Sequence, residues 1–153
     1  MKDFLEVINQ RVKNEDQDHD YLTEAKSIKN DDGRFWYDYS KTLRAIPEYG
    51  SLDIRENGSL ATALFASQIA FEKAPDAPAA HAERILAHSM LVHGLNATVK
   101  LGINPRLSTG ITATEWYSDL VSDLRDHLNL ACEKFPDDDW FNDQREDFKE
   151  SFG

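Results

Sequence analysis

Thr112-Ala113-Thr114-Glu115-Trp116-Tyr117-Ser118-Asp119-Leu120-Val121-Ser122-Asp123-Leu124-Arg125-Asp126-His127-Leu128-Asn129-Leu130-Ala131-Cys132-Glu133-Lys134-Phe135 is the stretch that decides the fold. Thr112 and Glu115 have the S/T-x-x-E spacing in which each side chain satisfies an orphan backbone N–H of the other's residue. At about 100° per residue, Tyr117, Leu120, Val121, Leu124, Leu128, Ala131 and Phe135 fall on one face. Glu115, Asp119, Asp123, Asp126 and Glu133 fall opposite, and Pro136 stops the helix. A helix with one apolar face must bury it against other elements, and the neighbouring segments are helical too.

Upstream, Leu60 to Phe71 is apolar nearly all round and meets no charge before Glu72, the pattern of a central helix. Pro75 and Pro78 punctuate the next turn, and Pro78 or Ala79 opens a long helix to about Leu101, closed by Gly102. Residues 2–13 carry Phe4, Leu5, Ile8 and Val12 at helical spacing. Asp18 or Asp20 can cap a second helix bearing Tyr21, Leu22, Ala25 and Ile28, stopped at Asn30-Asp31-Asp32-Gly33. Phe35 to Ile46 reads as a third helix ended by Pro47, although Phe35-Trp36-Tyr37-Asp38-Tyr39 also suits a strand. Residues 47–58 hold Pro47, Gly50 and Gly58 and read as a loop. After Pro136, Asp137 or Asp138 can cap a last helix with Phe141, Phe148 and Phe152 along one side. The expectation is an all-α, single-domain bundle of about five to seven helices over residues 1–153, with a short loop region near residues 47–58.

Charge is unevenly spread. Residues 113–153 hold twelve acids against four bases, a net of −8 out of −11 for the 153 residues. Such a surface repels nucleic acid and anionic membrane and attracts basic partners. The 41% hydrophobic content, with three Trp, five Tyr and eight Phe, argues for a packed core rather than disorder. The lone Cys132 excludes an intrachain disulfide and fits a cytoplasmic location. Acids at Asp3 and Glu6 interrupt any signal-peptide core, and no run is long and apolar enough to span a bilayer.

Motif chemistry is sparse. The chain lacks G-x-S-x-G, G-x-x-x-x-G-K-[ST] and G-x-G-x-x-G. His81 and His88 lie nearly co-facial on the long helix, with His93 diverging, and none is spaced i,i+4 from another histidine as a helical zinc pair requires. Asp123 and His127 are i,i+4 and could share a proton or a metal, but a partly exposed hydrogen bond is the commoner use of such a pair. Asp123 and Asp126 echo the paired acids of all-α nucleotide pyrophosphohydrolases, yet the apolar helices offer only Glu72 and Glu83 as a second set. No metal and no cofactor is expected.

The leading expectation is a non-enzymatic acidic module that binds a basic protein, an inhibitor of a nucleic-acid-processing enzyme in the manner of immunity, antitoxin-like or phage anti-defence proteins. Its candidate binding residues are Glu115, Asp119, Asp123, Asp126, Glu133, Asp137, Asp138, Asp139, Trp140 and Phe141, the last two as an aromatic anchor within an acidic rim. The bland alternatives are a solvated face for the acids and core packing for Trp140-Phe141. A rival reading is a small helical enzyme or ligand-binding bundle, its pocket between helices 60–74 and 79–101 with His81, Glu83, His88 and His93. A third is a structural or assembly protein acting as a homodimer or larger homo-oligomer.

Overall fold

A computed structural model describes residues 19–46, 55–100, 107 and 110–152, all structural statements below concerning these. They form an all-α bundle of six helices without a strand: α1 (Tyr21–Lys26), α2 (Gly33–Ala45), α3 (Ser59–Lys73), α4 (Pro78–Lys100), α5 (Ala113–Lys134) and α6 (Asp139–Phe152). The expected helix at 2–13 and the loop at 47–54 lie outside the described residues, while residues 55–58 form a turn in which Gly58 donates to Arg55 O at 3.0 Å.

Local chemistry sets the helix starts. Asp20 accepts from Thr23 N at 2.9 Å and caps α1. Asp32 caps α2 through Arg34 N at 3.0 Å, while Trp36 Nε1 donates to Asn30 O at 2.7 Å and ties the α2 entry back to the preceding loop. This resolves the ambiguity at 35–39 in favour of helix: a capped start turns Trp36, Tyr39, Ser40 and Leu43 inward at helical spacing. Thr112 and Glu115 make both halves of the capping box of α5. Asp138 accepts from Trp140 N at 2.9 Å and Phe141 N at 3.3 Å at the start of α6.

Each helix from α2 onward packs on its successor, and α2 also reaches α4. Two apolar clusters result. Tyr21, Ala25, Trp36, Tyr39 and Leu43 close on Ala63, Ala66 and Ala70 of α3. Small side chains there let helices approach closely, as at Gly33, where an added Cβ would stand 2.9 Å from Lys73 Cβ. Ile85, Leu91, Val92 and Leu95 of α4 meet Leu120, Leu124 and Leu128 of α5 and Phe141 and Phe148 of α6. Fully burying each such side chain is worth about 1.5–3 kcal/mol. The central helix α4 is therefore enclosed on several sides, and that is why His81, Glu83, Arg84 and His88 are inside. No helix among the described residues is long and apolar enough to cross a membrane.

Candidate functional site

The acidic face of α5 is where the spacing places it. Asp119, Asp123, Asp126 and Glu133 are exposed, and no ion pair joins any of them to a described residue. Burial raises the Asp123 carboxyl above the usual carboxylate range, and the charges of Asp126 and Asp119 push it further the same way. The three carboxylates thus repel one another with no ion-paired cation among the described residues. Glu115 has a structural task as well, since its carboxylate accepts from Thr112 N at 3.3 Å. The rim continues onto α6, where Asp137 and Asp139 are exposed while Asp138 is the cap. Asp139, Asp143, Glu146, Asp147 and Glu150 all point outward on a helix packed against α5.

The aromatic anchor needs correction. Phe141 is 1% exposed, stacked on Phe135 at 5.6 Å, and its carbonyl accepts from Cys132 Sγ at 3.4 Å. It is a core side chain and is not presented to a partner. Trp140 is half-buried and set edge-on to Phe141 at 5.3 Å, so it mainly seals α6 onto the bundle. The reason is the cap: a start at Asp138 turns Phe141 and Phe148, seven residues apart, onto the same inward face.

The histidines are brought together more closely than their spacing suggests. His88 is 1% exposed with Nε2 2.7 Å from Leu120 O, and its ring centroid lies 5.2 Å from that of His127. A carbonyl only accepts, so Nε2 carries the proton and Nδ1 the lone pair, and Nδ1 has no partner. His81 repeats this arrangement, with Nε2 2.7 Å from Pro75 O, Nδ1 unpartnered and its ring edge-on to Phe71 and Phe135. Desolvation pulls His88 down to about 4, partly offset by the Leu120 carbonyl and reinforced by Arg84. Desolvation likewise pulls His127 to about 3, with Arg84, His88 and His81 adding to it. No hydrogen bond joins Asp123 to His127, and no group of three or more His, Cys, Asp or Glu among the described residues could hold a metal ion.

Two residues of α4 escaped sequence reasoning or were given the wrong task. Glu83, 2% exposed, is not a pocket ligand: Arg44 grips it with Nε and Nη2 at 2.6 and 2.7 Å, and Ser40 adds its hydroxyl at 2.6 Å. Arg84 is 3% exposed and lies over the Phe71 ring at 3.6 Å, with Nη1 donating to Gln68 Oε1 at 3.2 Å. Desolvation lowers its guanidinium to about 10, against the opposing charge of Glu72, so it stays cationic at neutral pH. The signal was present, since His81, Arg84 and His88 are spaced i, i+3, i+7 on one face of an otherwise apolar helix.

Between α3 and α4, where a pocket was expected, Glu83 is engaged by Arg44 and Ser40, and Arg84 lies against Phe71 and Gln68. A cleft of about 100 Å³ lies between α4, α5 and α6, floored by Ile85, Leu124, Leu128 and Phe148 and rimmed by Ser89, His93, Gln144 and Asp147. It is smaller than the roughly 300–1,000 Å³ of ordinary small-molecule sites. Protein-family models, curated proteins and solved structures give no match to this chain.

Proposed function

We propose that this chain is a non-enzymatic acidic binding module that docks on the basic, nucleic-acid-binding surface of another protein and inhibits it. The observation that carries the reading is the exposed trio Asp119, Asp123 and Asp126, without an ion pair among the described residues and held on a box-capped helix whose opposite face is anchored in the core. Mutually repelling carboxylates without a counter-ion cost stability, by about 0.2–0.5 kcal/mol for each i,i+4 pair. A basic partner relieves that repulsion and is steered in by it.

Charge density bears on what is imitated. Duplex DNA carries one negative charge per roughly 1.7 Å of axis, whereas acids three or four residues apart on a helix are separated by about 4.5–6 Å. One stripe is too sparse, so the reading requires the exposed acids of α6, which packs on α5, to contribute to the same docking surface. The test is retention of proteins from lysate by wild type and by the D119K/D123K/D126K variant, at low salt and at about 0.5 M salt. A nucleic-acid-processing enzyme that wild type retains and inhibits, and that the variant neither retains nor inhibits, supports the reading. Equal retention by both, or retention without inhibition, removes it.

A further inference from the structure

Beyond the acidic face, we infer that Arg84 anchors a buried oxyanion-binding site between α3, α4 and α5, specific for a small phosphate or carboxylate group. The geometry rests on which nitrogens are left over. Nε–H and Nη2–H of a guanidinium point the same way and form the fork that grips a carboxylate or phosphate with two parallel bonds. Arg44 uses this very pair on Glu83, at 2.6 and 2.7 Å. In Arg84 the same pair, Nε and Nη2, is buried and has no hydrogen-bond partner, the remaining Nη1 being held by Gln68. The described residues thus include two buried forks, one holding a carboxylate of the chain and one without a hydrogen-bond partner from the protein.

A buried fork without a partner is costly, because each such N–H forfeits its hydration, and a charge without a counter-ion forfeits more. Proteins retain such groups where something else completes them. The surroundings favour an anion over any cation. Arg84 is a buried cation among neutral histidines, His81 and His88 on α4 and His127 on α5, and among the described residues only the exposed carboxylate Glu72 acts on it with opposite charge. His81 and His88 each leave Nδ1 as an unpartnered acceptor, and the hydroxyl of a monoprotonated phosphate donates where Nδ1 accepts. The flat Phe71 face fixes the plane of the guanidinium and so the direction of the fork. Gln68, which holds Nη1, and His127 are both half-buried, and Glu72 on the same stretch of α3 is exposed.

The test uses the full chain in a chloride buffer, titrated separately with inorganic phosphate and with acetate at matched ionic strength. Thermal unfolding reads binding by mass action, and the Arg84 Nε–Hε resonance reads its place. The expected result is a saturable rise in Tm above the chloride control, with a matching shift of the Arg84 resonance. A response to phosphate alone assigns a phosphoryl group, and a response to acetate as well assigns carboxylates. Arg84→Met keeps the stem over Phe71 and removes the unpaired charge, so it is expected to fold at least as stably as wild type in chloride and to lose the phosphate and acetate responses. No rise beyond chloride overturns the inference. So does a rise that survives in Arg84→Met, or one that leaves the Arg84 resonance unmoved.

Discussion

Acidification is expected to unfold this protein through its buried histidines before its carboxylates titrate, and His88 sets the scale. It is neutral in the fold, with its titration lowered from 6.5 to about 4, whereas in the unfolded chain it titrates at its ordinary value. A base with a depressed folded pKa binds more protons when unfolded, so its contribution to stability is complete above about pH 6.5 and is lost as pH falls toward 4. Integrating that difference between about pH 7 and pH 5 gives a loss of about 1.8 kcal/mol from His88 alone. His88 is 1% exposed, so solvent screening takes little from this figure. His81 and His127 shift in the same direction and add to the loss, His127 by less than its shift implies because it reaches solvent. Asp123, raised by burial and its neighbours, works weakly against the trend. The assay is urea unfolding followed by circular dichroism at the two pH values. His88→Gln, whose amide N–H can still reach Leu120 O, is expected to shrink the pH-dependent loss by about 1.8 kcal/mol relative to wild type. A wild type equally stable at both values, or a variant with an undiminished loss, refutes the reasoning.

Other outcomes follow from named contacts. Arg44→Met leaves the Glu83 carboxylate buried with only Ser40 as partner, and a loss of about 3–5 kcal/mol is expected. Adding Glu83→Leu should recover most of it in a double-mutant cycle by urea unfolding, and additive losses would contradict a direct pair. Phe141→Ala is expected to cost about 3–5 kcal/mol as a core deletion, and a surface-like cost under about 0.5 kcal/mol would restore it as an exposed anchor. Thr112→Ala removes the capping box of α5 and should cost about 1 kcal/mol by the same assay. Cys132 is buried with its thiol pushed up by burial, so thiol reagents should label it only as fast as the protein opens, and rapid labelling under native conditions would place it elsewhere.

What the chain determines by itself is its short-range physics. The capping box at Thr112, the Asp20 cap, the stop at Pro136 and the apolar faces of α3 and α5 each depend on residues within a few positions, and all were legible in the sequence. The acidic face of α5 was legible for the same reason, since a helix wheel needs no partner. Tertiary structure alone decided the interior of α4. Glu83 meets Arg44 across 39 positions, and His88 meets Leu120 O across 32. Nothing local distinguishes Glu83, clasped by an arginine, from Arg84 beside it, whose Nε and Nη2 meet no protein acceptor. Whether a charge on an apolar helix is satisfied depends on which distant helix packs over it, and the burial of Phe141 was settled in the same way by the surfaces of α4 and α5.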